Sequence, residues 1–156
     1  MTTPTEQELN GQNNGLVFRQ SVMVHFSHCD PAGMVFFPQY FVMLNNLVET
    51  WFTQGLGINY AQLIGKRRMG LPTVSLQSEF IAPSRMSETL DFELQVTRLG
   101  QTSFTLAVIG RGGPEVRLRL QQVVVTTSLD GDHAIPIPPD VRTALARYQS
   151  TTGAPS

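Results

Sequence analysis

The stretch from Pro38 to Gln54 predicts a helix with almost no side left for water. Phe37, Phe41, Leu44, Val48, Trp51 and Phe52 recur at helical spacing, and Val42, Met43 and Leu47 widen the stripe beyond one face. Such a helix folds stably only if something covers it on most sides. The aromatic stripe reads as core by default. Asn45 and Asn46 sit inside the same stretch, where a buried amide needs a partner. A subunit contact and a solvated face both satisfy them. Gly55 and Gly57 stop the helix, and a short helical turn from Asn59 to Gly65 follows.

The cover comes from segments with a period of two. Val17 to Phe26 predicts a first strand, with Val22, Val24 and Phe26 on one face and His25 on the other. Leu71 to Pro83 predicts a second, with Val74 and Leu76 opposed to a polar row of Thr73, Ser75, Gln77 and Glu79. Thr89 to Thr97, Ser103 to Ile109 and Glu115 to Ser128 alternate in the same way, joined by turns at Gly100-Gln101 and Arg111-Gly112-Gly113-Pro114. In the last of these the apolar phase shifts from Leu120 to Val123, which predicts a bulge. Asp140 opens a terminal helix to about Tyr148. Four consecutive strands with short turns predict an antiparallel meander. The expected class is α+β, an antiparallel sheet wrapped around one long central helix, as one domain over residues 17–148. Polar tails at 1–16 and 149–156 are expected to be disordered.

Composition removes several functions. The chain has 156 residues and a net charge of -1, so no electrostatic case exists for nucleic acid or an anionic membrane surface. Charged residues make up only 15%, against about 25% in typical soluble domains, which leaves more surface to be covered, self-association being one candidate. Lys66-Arg67-Arg68 reads as a solvated loop. The lone Cys29 excludes an intrachain disulfide, and His25, His28 and His133 form no metal-ligand pattern. Neither a signal peptide nor a membrane span is visible, so the expectation is a reduced, cytoplasmic protein.

One carboxylate stands out. Asp30 lies in a turn sharpened by Pro31 and Gly33, and seven residues later Phe37 and Pro38 mark the start of the long helix. A helix start offers free N–H groups and partial positive charge. A carboxylate near it suits acyl transfer: it attacks or activates water while an amide holds the oxyanion. The residues alone equally allow Asp30 to be a cap or a solvated loop residue. No Gly-x-Ser-x-Gly is present, and Cys29 beside Asp30 has its thiolate disfavoured by the neighbouring charge.

The run Cys29-Asp30-Pro31-Ala32-Gly33, followed by Met-Val-Phe-Phe-Pro and Tyr40, resembles the signature of the hotdog-fold acyl-CoA thioesterases, the 4-hydroxybenzoyl-CoA thioesterase family. Gly70-Leu71-Pro72-Thr73-Val74 and the late Ile-Pro-Ile-Pro-Pro-Asp-Val-Arg are similar too. The resemblance spans about residues 17–148. It implies a thioester hydrolase in which Asp30 is nucleophile or general base and the Phe37 backbone N–H polarises the thioester carbonyl, with no metal or redox cofactor. It further implies substrate contact at Gly33 and Tyr40, and a homodimer or dimer of dimers. Thr73, Ser75 and Gln77 would then line the pocket from the partner subunit. An aromatic acyl-CoA such as a hydroxybenzoyl-CoA is the expected substrate.

Three positions depart from the family pattern. His28 stands where many relatives have an acid, where it either tunes Asp30 or faces solvent. Gln39 replaces a frequent Asn. The turn at 100–102 lacks the basic run that grips CoA phosphates in some relatives, leaving Arg98 as the expected CoA contact, with Arg111 and the 66–68 cluster as further candidates. Two other readings stand beside hydrolysis: an acyl-thioester-binding protein without turnover, and a hydratase or dehydratase, which would want an Asp/His pair.

Overall fold

The computed structural model describes residues 15–150. Residues 1–14 and 151–156, most of the two expected tails, lie outside the described residues. The inner ends of those tails are paired. The Leu16 N–H donates to the Arg147 carbonyl (2.9 Å) and the Ser150 N–H to the Val96 carbonyl (2.8 Å), and Gln149 forms a parallel bridge with Val96. Leu16, Gln149 and Ser150 therefore belong with the packed body. Main-chain pairing carries them there, and composition does not report it.

Helix α1 spans Pro38–Thr50, with proline in its first turn, and runs on as a π-turn over Trp51–Gly55. Its buried residues are Tyr40, Met43, Leu44, Leu47 and Val48, joined by Trp51 and Phe52. Asn45 and Asn46 are exposed in the single chain. Helix α2, Tyr60–Gly65, is capped by Asn59, whose side chain accepts from the Gln62 N–H (2.9 Å).

The main sheet contains β1 (Phe18–Met23), β3 (Thr73–Phe80), β4 (Thr89–Leu99), β5 (Ser103–Gly112) and β6 (Glu115–Val125) in the order β1-β4-β5-β6-β3, all antiparallel. Helix α1 packs on the face carrying Leu90, Phe92, Leu94, Val96, Phe104, Leu106, Val108, Leu118, Leu120 and Val124. Each such side chain, fully buried, contributes about 1.5–3 kcal/mol. Three two-residue strands, β2 (Met69–Gly70), β7 (Thr127–Ser128) and β8 (His133–Ala134), form a second small sheet. Helix α3, Pro139–Ala146, buries Val141, Ala144 and Leu145.

Four sequence expectations are corrected. The first strand stops at Met23: Val24 is buried, but Phe26 is 82% exposed because a 3-10 turn over Phe26–His28 breaks the alternation. The meander covers only β4, β5 and β6, since β3 crosses to the far edge beside β6. Its neighbour in sequence is not its neighbour in space because residues 81–88 carry the chain across.

The polar row on β3 is also broken. Thr73 pairs with Val124 and Ser75 with Val123, so Val74 is an extra residue. This bulge turns Thr73 to the helix side, with Leu76 and Phe80, while Ser75, Gln77 and Glu79 face outward. Finally, β6 keeps one phase from Leu118 to Val125 against β5. Gln122 fills the helix-facing position that looked like a shift, its amide donating to the Thr73 hydroxyl (2.7 Å). The irregularity in β6 lies earlier, where Gly110 pairs with Leu118 and Arg111 with Val116, leaving Arg117 as the extra residue.

Candidate active site

Asp30 sits at the tip of a tight hairpin. The Gly33 N–H donates to the Asp30 carbonyl (2.9 Å), the Asp30 N–H donates to the Met34 carbonyl (3.0 Å), and Cys29 bridges Val35. Gly33 has φ 77°, a left-handed conformation that glycine adopts without the Cβ clash. The carboxylate accepts the Ala32 N–H through Oδ1 (2.9 Å), an Asx turn. No hydrogen bond occupies Oδ2 among the described residues.

The start of α1 leaves one amide over. Pro38 has no N–H. The Gln39 N–H donates to the Phe36 carbonyl (2.8 Å) and the Tyr40 N–H to the Phe37 carbonyl (3.1 Å). The Phe37 N–H has no partner among the described residues. It lies at the positive end of the helix dipole.

Asp30, Phe37 and Tyr40 line one cleft of about 470 Å³, together with Met34, Val35 and the segment Phe80–Pro83. Tyr40 stacks on Phe80 with centroids 5.7 Å apart and planes at 23°, and Phe37 meets Phe80 edge-on at 6.1 Å. The two walls are tied by the Val35 N–H, which donates to the Ser84 carbonyl (2.9 Å), and by a bridge between Met34 and Arg85. The lining is otherwise largely apolar, so a carboxylate and a free amide share one open cleft with aromatic and aliphatic walls.

The remaining expected residues are spread. Gly33 shapes the Asp30 turn. Thr73 lies under Gln122, away from the cleft lining. Gln77 faces outward into a separate depression of about 410 Å³ with Ala107, Ile109, Arg119 and Gln121, and Ser75 shares that outer face. Arg98 is near the end of β4 farthest from the Asp30 hairpin, about 30 Å along the strand from Thr89 at ~3.3 Å per residue. A single chain therefore gathers Asp30, Phe37 and Tyr40, and does not bring Thr73, Ser75, Gln77 or Arg98 to them.

His28 neither faces solvent freely nor pairs with Asp30. Its Nδ1 accepts the His25 N–H (2.9 Å), and its carbonyl accepts the Phe36 N–H (2.9 Å). Burial, with a smaller contribution from His25, lowers its pKa, so the neutral ring is favoured. The Asp/His pair that hydration chemistry would want is not assembled from His28. Arg67 and Arg68 pair with Asp140 and Asp130, as suits a loop at the surface. Sequence reasoning missed the wall at Phe80–Pro83. Its signal was Phe80 continuing the alternation of Leu76 on the helix side.

Among the described residues no helix is long and apolar enough to cross a membrane. The profile of the thioesterase-like superfamily matches residues 24–145. A 4-hydroxybenzoyl-CoA thioesterase from Pseudomonas sp. (strain CBS-3) is 26% identical over 125 residues, 75% of this chain and 89% of that protein. A gentisyl-coenzyme A thioesterase of known structure is 26% identical, with a TM-score of 0.74 over 83% of this chain and 99% of that one. A 1,4-dihydroxy-2-naphthoyl-CoA thioesterase from Synechocystis shares the fold, with a TM-score of 0.76 at 23% identity over 83% and 96% of the two chains. The sheet wrapped around one helix is the hotdog fold, and with most of its length matched the chain belongs to the thioesterase-like superfamily of thioester hydrolases.

Proposed function

We propose that this protein hydrolyses an aromatic acyl-CoA to the free acid and CoA. The observation that carries the proposal is the convergence of Asp30 and the unpaired Phe37 N–H on one aromatic-walled cleft. The carbonyl oxygen of the thioester accepts from the Phe37 N–H, which stabilises the charge that grows there. Asp30 takes a proton from water as the water attacks the acyl carbon, or attacks that carbon itself to give an anhydride that water then opens. The C–S bond breaks, and the thiolate leaves to be protonated as CoA. Water is the only co-reactant, and neither route calls for a metal or redox cofactor.

Phe37, Tyr40 and Phe80 offer ring faces and edges to an aryl group. The similarity to thioesterases named for 4-hydroxybenzoyl- and gentisyl-CoA supports the same choice. Ser75, Gln77 and Arg98 belong to a site of this kind only if a second copy supplies them, so the working unit is a homodimer or a dimer of dimers. The eight-residue edge strand β3, exposed along nearly its whole length, supports that reading.

The test is thiol release from a panel of aryl- and alkyl-CoA thioesters, comparing the wild type with Asp30→Asn. Loss of the carboxylate is expected to lower kcat by about 10²–10⁴-fold at least, with the aryl esters the best substrates of the wild type. Tight binding of the esters with no turnover by the wild type would overturn hydrolysis in favour of a binding role.

A further inference from the structure

Arg117 is the extra residue of the β6 bulge, and it is 9% exposed. A bulge of this kind re-aims a side chain. Here it turns a guanidinium into the loop that joins β3 to β4. Nη1 donates to the Pro83 carbonyl (2.9 Å) and the Ser84 hydroxyl (3.3 Å), Nη2 donates to a Glu88 carboxylate oxygen (2.7 Å), and Nε lies 2.6 Å from a Glu115 carboxylate oxygen. Space for the group is made by Gly112, where any Cβ would lie 2.5 Å from Nη2. The Arg117 carbonyl acts on the same loop, accepting the N–H groups of Ile81 (2.8 Å) and Ala82 (3.2 Å).

The loop held in this way is one wall of the cleft. Ile81, Ala82 and Pro83 line it. Past Pro83 the loop reaches the Asp30 side: the Ser84 carbonyl accepts the Val35 N–H, Arg85 bridges Met34, and the Glu88 carbonyl accepts the Val24 N–H (2.8 Å). The second Glu88 carboxylate oxygen accepts the Arg85 N–H (2.7 Å), so one carboxylate joins the Arg117 clamp to the segment beside Met34. Strand β6 and strand β1 are separated by β4 and β5 in the sheet, yet this chain of bonds runs from β6 to Val24, the residue that follows β1.

Resting on the thioesterase reading above, we propose that Arg117 is a positioning residue for the acyl group: it fixes the Ile81–Pro83 wall opposite Asp30 without itself touching the substrate. Lysine keeps the charge at this position but cannot serve Pro83, Ser84, Glu88 and Glu115 from one planar fork. Arg117→Lys and Glu88→Gln should therefore loosen the wall in the same way. Glu115→Gln removes an ion pair at the exposed hairpin tip and should leave the wall in place.

The experiment compares these three variants with the wild type on benzoyl-CoA and acetyl-CoA, beside amide hydrogen exchange of residues 35, 81, 82 and 84–88. The expected result is a fall in kcat/KM for benzoyl-CoA of about tenfold to a hundredfold in Arg117→Lys and Glu88→Gln, expressed mainly in KM. The loss for acetyl-CoA should be under about threefold, because its acyl group is too short to lie along the wall. Exchange at Val35, Ile81 and Ala82 should quicken in those two variants and not in Glu115→Gln. Equal losses on both esters, or loss in Glu115→Gln to the same degree, would reduce Arg117 to a general stabiliser and overturn the proposal. Unchanged exchange in the folded Arg117→Lys protein would overturn it even if no ester were turned over, so its failure is distinguishable from failure of the thioesterase reading.

Discussion

The two ends of helix α1 carry the same kind of residue and use it in opposite ways. At the C-terminal end Trp51 and Phe52 are each 0% exposed, with Trp51 edge-on to Tyr148 at 5.5 Å and Phe52 set against Tyr60 and Phe104. At the N-terminal end Phe37 is 54% and Phe80 beside it 48% exposed, and the rings meet across an open cleft. Phe37, Trp51 and Phe52 follow one helical period. What separates them is the cover: Tyr148, just past α3 in the chain, closes over one end, whereas the Asp30 hairpin and the Phe80–Pro83 segment stand around the other and leave a cleft between them. At that same end the Phe37 N–H has no partner among the described residues. Aromatic rings at helical spacing therefore mark a surface that must be covered, and the rest of the chain decides whether protein or ligand does it.

The largest effect that would test this contrast comes from Trp51→Ala. It should lower unfolding stability by about 3–5 kcal/mol in denaturant titration while leaving KM for the remaining folded enzyme unchanged. Next is Phe37→Ala, expected to cost about 1 kcal/mol or less in the same titration but to raise KM for an aryl-CoA several-fold. If Phe37→Ala unfolds the protein as readily as Trp51→Ala, the two ends are one core and the contrast is broken.

The smallest effect sharpens the cleft end alone. His28 has its pKa lowered below 6.5 in the fold, so its contribution is complete above about 6.5 and is lost as pH falls through the lower folded value. Protonation would place a hydrogen on Nδ1, the atom that accepts the His25 N–H. Thermal melting temperature should therefore fall between pH 7 and pH 5, with that part of the slope absent in His28→Ala.

Much of this architecture can be read from period and punctuation. The span of α1 follows from its apolar width and the glycines behind it, and α2 follows from Asn59. Asp30, Phe37 and Tyr40 are legible because a short run of chain holds all three. The features that resist reading depend on contacts distant in sequence. A single extra residue at Val74 splits Thr73 from Ser75 and Gln77, and nothing local marks it. Gln122 resembles a phase shift because its partner, Thr73, lies 49 positions away. Arg117 looks like one more surface arginine in an alternating strand until the bulge turns it inward. The place of β3 at the far edge follows from which strands bury the most together, a global choice that turn lengths alone do not encode.

The unpartnered amide at Phe37 has an evolutionary consequence. On the proposed reading, one position supplies both a ring to the acyl wall and a main-chain donor to the carbonyl. Mutation can rewrite the ring and, short of proline, cannot delete the donor. Substrate preference at this site can thus drift through a series of side chains while every intermediate sequence keeps the same carbonyl contact. A lineage built on this hairpin and helix start is free to explore new acyl groups without first passing through an inactive ancestor.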